Sequence, residues 1–295
     1  MISASRLYEI LQRVEVRSVV DPFMGVPTHL NYLKQHGLAV HGAELSDWLV
    51  RAGEGIVVND SVVLLDRDIS EIVEMLPGHV YALDTFKAWE GAFFTQEQCL
   101  YLSVWHENVH ALRSDAQTGL AVLGLWRAFC YWMHKSEAPD EMQDVAPSEL
   151  AWHYLRQTTQ WVGANARRNT VRRADALAIT EACPADALLL ALPFRNAYRS
   201  PDARLSMWEA WWQGDPYFSH EHAYRHALFG VGASEPADYA RTAASLLARA
   251  SEYPVIVLAT DEKRAAEMES LLRAARRDLE IVAASPDEVY LIAKR

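Results

Sequence analysis

The order of hydrophobic and polar positions predicts alternating strands and helices at both ends of the chain. Near the start, residues 16–21 are a short β-branched run, residues 30–37 have helical spacing, and residues 39–44 resemble a second strand. Later segments repeat this alternation: 187–192 (strand), 237–251 (helix), 255–259 (strand), 262–276 (helix) and 289–293 (strand). The pattern predicts an α/β protein with a Rossmann-like, doubly wound sheet.

Between these ends the pattern changes to long helices. Residues 95–133 are apolar, rich in Trp and free of proline, which predicts two helices broken near residues 114–119. Weaker signals predict a helix within residues 59–76 and a strand at residues 80–83. We therefore expect residues 1–83 and 169–295 to form the two halves of the α/β core, with residues 84–168 as a helical insertion.

Composition restricts the class of protein more than its function. A hydrophobic share of 51% with 23% charged residues is typical of a globular protein. Cys99, Cys130 and Cys183 are odd in number and far apart, which argues against a disulfide framework and a thiolate zinc cluster. The sequence contains neither an apolar run of membrane-spanning length nor a secretory signal at its start, so we expect a cytoplasmic protein without membrane contact.

The formal net charge of −11 opposes general affinity for nucleic acid, because binding to phosphates depends largely on Lys and Arg. Any DNA contact must therefore be local. The best candidate segment is residues 156–173, which contains Arg167 and Arg168, with Arg172 and Arg173 at its end. Two interpretations stay open for these arginines: a DNA contact, or a solvated basic loop or helix end.

Residues 21–28, D-P-F-M-G-V-P-T, follow the first predicted strand. They resemble the D-P-F-x-G-S-G-T loop with which alpha-class DNA adenine N6-methyltransferases hold S-adenosylmethionine (SAM). The resemblance implies SAM as cofactor and six binding residues: Asp21, Phe23, Gly25, Thr28, Glu44 and Asp175. Pro27 replaces the second glycine of that loop, and proline has no N–H and cannot adopt a positive φ. This replacement argues against SAM binding.

Residues 186–194, D-A-L-L-L-A-L-P-F, resemble the strand that carries the catalytic D-P-P-Y of the same family. Ala191 stands at the position of the catalytic Asp, and Pro193 and Phe194 stand at the last two positions of the motif. An alanine side chain accepts no hydrogen bond from the adenine amino group. We expect this loss to cost about 100- to 1000-fold in rate.

The order of the motifs, with the SAM loop first and the catalytic strand last, also resembles the alpha class. The resemblance implies a degenerate, catalytically inactive methyltransferase-like protein that binds DNA or a protein partner. Such a partner would be an active methyltransferase subunit of a DNA-modification, restriction-modification or defence system, and self-association is left open. The alternative is an active SAM-dependent adenine methyltransferase in which Asp202 or Asp215 replaces Ala191.

A second alternative comes from H-E-N-V-H at residues 106–110. On a helix, His106 and His110 would share one face, with Glu107 as a general base for a zinc-bound water. No third ligand follows at a recognisable spacing, because Arg113 stands where the extended motif has glycine. We therefore expect no metal, and a zinc hydrolase is the third hypothesis.

The many tryptophans predict core packing or an interface, rather than base stacking. Trp211 and Trp212 are adjacent in the sequence, so their side chains leave any regular element in different directions. We expect one of the two to reach the surface or a partner.

Overall fold

The computed structural model describes residues 3–133, 145–192, 203–224, 236–274, 278–285 and 288–295. Its strands are β1 (Ser18–Asp21), β2 (Ala39–Glu44), β3 (Thr170–Arg173), β4 (Ala187–Leu190), β5 (Val255–Thr260), β6 (Asp278–Ser285) and β7 (Glu288–Lys294). Its α-helices are α1 (Ala4–Arg13), α2 (Thr28–Gln35), α3 (Asp47–Gly53), α4 (Asp66–Val73), α5 (Gln96–His110), α6 (Asp115–Met133), α7 (Pro147–Thr159), α8 (Ala176–Ala182), α9 (Ala203–Gln213), α10 (His220–Ala223), α11 (Pro236–Arg249) and α12 (Glu262–Ala274).

The seven strands form one mixed sheet in the order β3-β2-β1-β4-β5-β7-β6. Strands β1 to β5 are parallel, whereas β7 runs antiparallel to both β5 and β6. The chain moves outward from β1 to β3 and then returns to β4 on the other side of β1. This reversal between β1 and β4 is the point where a doubly wound sheet opens a ligand crevice, at the carboxyl ends of its strands.

Helices cover both faces of the sheet. Val19 and Leu189 point into a core shared with α1, α2, α3 and the following helices. Their neighbours Val20 and Leu188 point into a second core formed with α8, α11 and α12. The prediction of an α/β protein with a Rossmann-like sheet is confirmed at this level, because strands buried on both faces read as continuous apolar runs.

The helices α3 to α7 all lie between β2 and β3. Helix α3 continues into a π-helical turn, Glu54–Val58, which crosses α6 at Gly119. Thr95 is the N-cap of α5, and its side chain and that of Gln98 form a reciprocal capping box. These helices begin with α3 at Asp47, well before residue 84. The division of the chain into residues 1–83, 84–168 and 169–295 stays a prediction.

Two predictions about local structure are wrong. Residues 80–83 form no strand, and the Val80 side chain is 91% exposed, because this short apolar run pairs with no strand of the described sheet. Trp211 and Trp212 are both buried, so the expectation that one of them reaches the surface is wrong, and a contact with a partner stays a prediction. Helix α9 is enclosed by other helices, so Trp211 Nε1 donates to Leu102 O (2.8 Å) and Trp212 Nε1 to Asp47 Oδ2 (3.0 Å).

Among the described residues, no helix combines the length and the apolar character needed to cross a membrane. Several elements were not predicted from the sequence, among them α1, α3, α7, α9, β3 and β6. Strand β6 is an edge strand, and α9 begins at Ala203 within a segment that reads only as aromatic-rich.

Candidate functional site

The carboxyl end of β1 carries a buried acid with two partners. Asp21 is fully buried, and its Oδ1 accepts a hydrogen bond from Phe23 N (2.9 Å). Its Oδ2 lies 2.7 Å from His29 Nε2, near the start of α2. The backbone thus binds one oxygen of the Asp21 carboxylate, and the His29 imidazole binds the other.

Several backbone N–H groups of the loop after β1 donate hydrogen bonds to acceptors within the protein. Met24 N donates to Ala43 O (3.1 Å), Gly25 N to Glu44 Oε2 (3.1 Å), and the N–H of Thr28, an exposed residue, to Val26 O (2.9 Å). Gly25 has φ +54°, a conformation that favours glycine. Pro27 lies two residues after Gly25, directly before α2, and has no N–H to donate.

Glu44 ends β2 and folds back onto the adjacent backbone. Its Oε1 accepts from Leu45 N (2.7 Å) and Ser46 N (3.5 Å), and its Oε2 accepts from Gly25 N. Burial raises the pKa of Glu44, and the charge of nearby Asp21 raises it further. The structure thus brings Asp21, Gly25 and Glu44 together at one edge of the sheet.

The other residues predicted for SAM and catalysis are arranged differently. Asp175 is the N-cap of α8, where its Oδ1 accepts from Leu177 N (2.9 Å). Ala191 is half-buried just beyond β4, at the carboxyl edge of the sheet. Pro193 and Phe194 lie outside the described residues.

The four predicted DNA-binding arginines lie on and before the edge strand β3. Arg167, Arg168, Arg172 and Arg173 are all exposed, and we call them the arginine edge. Within the described part of the chain, Arg173 alone of the four lies within 4 Å of an acid, with 3.9 Å between its Nη1 and Asp47 Oδ1. The pKa of His41 is lowered by burial and then by the charges of Arg172 and Arg168, so the edge is locally positive.

The H-E-x-x-H helix places its two imidazoles together but turns its Glu elsewhere. The ring centroids of His106 and His110 are 4.5 Å apart, and His110 Nε2 donates to Trp212 O (3.1 Å). Glu107 instead binds His79 Nε2 (2.7 Å) and accepts from Ala82 N (2.6 Å). Across the described ranges, no three His, Cys, Asp or Glu side chains gather where a metal could be held.

The environment of His106 makes stability depend on pH. Burial, and then the neighbouring His110, lower the pKa of His106 from 6.5 to about 4. Between these two values the unfolded chain binds a proton that the folded protein does not, so stability falls as the pH decreases. We expect this histidine to contribute about 1 kcal/mol per pH unit or less across that window.

Urea unfolding of wild type and His106→Gln between pH 7.5 and 4 checks this expectation. The variant should show a shallower loss of stability on acidification, whereas replacement of the exposed His153 by Gln should leave the slope unchanged. Equal slopes in wild type and His106→Gln would contradict it.

Comparison of the sequence with protein-family models and with curated proteins gives no match. His29 was not predicted as a site residue, although it directly follows the loop at residues 21–28. Its pairing with Asp21, eight positions earlier, depends on how the loop folds and has no local sequence signal.

Proposed function

We propose that this protein is a methyltransferase-like protein, related to the DNA adenine N6-methyltransferases, that does not methylate adenine and binds DNA. Its role is that of a non-catalytic subunit in a DNA-modification or defence assembly. One observation carries the loss of catalysis: the acids and amides at the carboxyl edge of β1 and β2 bind one another instead of presenting themselves to a ligand.

The residues at this edge do not fit SAM. The cofactor carries an ammonium and a sulfonium group, for which a buried carboxylate is the natural partner, but Asp21 is paired with His29. Three of the roughly four acceptor positions of Glu44 are used by backbone N–H groups, which leaves little for ribose hydroxyls. The N–H of Gly25 is likewise used by Glu44.

The catalytic position supports the same proposal. Ala191 offers no side-chain acceptor to an adenine amino group. Of the two acids considered as replacements, Asp202 lies outside the described residues, and Asp215 Oδ1 accepts from Tyr217 N in the turn after α9. An active methyltransferase stays the alternative, and it requires an acid in place of Ala191.

The arginine edge supports DNA as the ligand. Its four guanidinium groups are exposed on a protein whose net charge is −11, so a polyanion would be attracted here and repelled elsewhere. In the described sheet β3 is an edge strand, so these side chains lie at the margin of the sheet. The contact would be to phosphates, which position DNA without reading its sequence.

The test is DNA binding by fluorescence anisotropy, with methyl transfer measured on the same protein. We expect the double variant Arg168→Gln, Arg172→Gln to bind duplex DNA about tenfold more weakly at low salt. The slope of log affinity against log salt concentration should fall by about two, because two phosphate contacts are lost. The matched control is Arg273→Gln, an exposed arginine of α12 that pairs with Glu269. Methyl transfer to DNA, or unchanged affinity in the double variant, would contradict the proposal.

A further inference from the structure

A cavity of about 520 Å³ opens beside the carboxyl end of β3, between α3, α5 and α9. It is separate from the loop that follows β1. Its wall includes two arginines, two histidines, one acid and one indole: Arg51, Arg173, His106, His110, Asp47 and Trp212. Its volume is within the range of small-molecule sites, and larger than a single phosphate requires.

Both arginines make hydrogen bonds within the protein that use only some of their N–H donors. Arg173 Nε donates to Leu45 O (3.2 Å), which fixes the side chain against the end of β2. Arg51 Nη1 donates to Glu54 (2.9 Å) and Asp115 (2.7 Å), and in the described residues its Nη2 makes no hydrogen bond. Pre-ordered guanidinium groups lose less entropy when they bind an anion.

The remaining wall is polar but carries little opposing charge. Burial lowers the pKa of both His106 and His110, so these imidazoles are neutral near pH 7. Asp47 is the acid of the wall, and its Oδ2 already accepts from Trp212 Nε1 (3.0 Å). Two acids outside the wall, Glu54 and Asp115, pair with Arg51 and compensate its charge.

We propose that this cavity binds a phosphate group through Arg51 and Arg173, and that Asp47 limits the affinity. Two planar guanidinium groups on different elements can donate to separate oxygens of one phosphate. A bound phosphate group presents three terminal oxygens to the two guanidinium groups, whereas a carboxylate presents two. The volume leaves room for a phosphate carried by a nucleotide or by a nucleic-acid end.

The test measures binding of inorganic phosphate by calorimetry at pH 7 and constant ionic strength. We expect saturable binding that Arg173→Gln and Arg51→Gln each weaken about tenfold, because each loses charge-assisted hydrogen bonds. Asp47→Asn keeps an oxygen for Trp212 and removes the repulsion, so it should tighten binding severalfold. Arg168→Gln, on the arginine edge but outside the cavity wall, should leave it unchanged.

Three results would overturn the inference: no saturable binding, no tightening in Asp47→Asn, or the same loss in Arg168→Gln as in Arg173→Gln. If Arg51→Gln does not fold because its ion pairs are lost, Asp47→Asn and Arg173→Gln still test phosphate binding in the cavity. Competition with a 5′-phosphorylated trinucleotide, against the same trinucleotide without phosphate, identifies the source. Tighter competition by the phosphorylated form indicates a nucleic-acid end, and equal weak competition by both indicates free phosphate.

This inference goes beyond the proposed DNA binding, and the two fail separately. The arginine edge is tested by Arg168 and Arg172, whereas the cavity is tested by Arg51 and Asp47. Loss of duplex binding with intact phosphate binding would contradict only the first proposal.

Discussion

Replacement of Gly119 by valine is expected to lower the free energy of unfolding by about 3 kcal/mol or more. A Cβ at this position would lie 2.0 Å from Arg51 O and 2.5 Å from Gly55 N. Both are backbone atoms, so no side-chain rotation relieves the clash. Helix α6 would have to move away from α3 and the π-helical turn, and α3 carries two residues of the proposed phosphate cavity, Asp47 and Arg51.

The matched control is Gly163→Val. No atom lies within 4 Å of a Cβ built at Gly163, so the same substitution should change stability little. Urea unfolding of both variants, followed by tryptophan fluorescence, measures the difference. A loss below about 1 kcal/mol in Gly119→Val would show that the helix crossing adapts, contrary to this expectation.

Truncation of Trp208 to alanine is expected to cost about 3–5 kcal/mol. The indole is fully buried on α9, and its ring centroid lies 4.0 Å from that of Trp211 in a stacked pair. It also contacts the rings of Trp126 and Phe129 on α6. Removing it leaves a cavity at the centre of the contact that joins α9 to the helices between β2 and β3.

Trp208→Phe is the informative control for this prediction. Trp208 Nε1 is buried without a hydrogen-bond partner among the described residues, so phenylalanine loses no hydrogen bond and keeps much of the ring contact. We expect it to cost less than half as much as alanine in chemical denaturation. Equal losses for the two variants would show that ring packing does not account for the stability at this position.

Much of the fold was predictable because its central strands are apolar on both faces. The predicted strand at residues 39–44 coincides with β2, and the break between α5 and α6 lies close to the predicted position. Strand β6 was missed because it is an edge strand that begins with charged residues, including Asp278 and Glu280. Edge strands carry weaker hydrophobic patterns than central ones.

The site was predictable only where it follows from strand ends. Asp21 and Glu44 were expected at the ligand-facing edge because each ends a parallel strand, and the structure places them there. The proposed phosphate cavity had no such signal, since its residues come from positions 47 to 213 and meet where α3, α5 and α9 pack beside the end of β3. Binding of SAM, DNA or a protein partner stays a prediction.

The internal hydrogen bonds of the loop after β1 have a consequence for how this loop is completed. A fold whose cofactor loop is completed by the cofactor gains stability with the logarithm of the free cofactor concentration. Here His29 and Glu44 complete the loop from within. Because both contacts lie within the chain, the folded form of this loop needs no supplied small molecule to complete them.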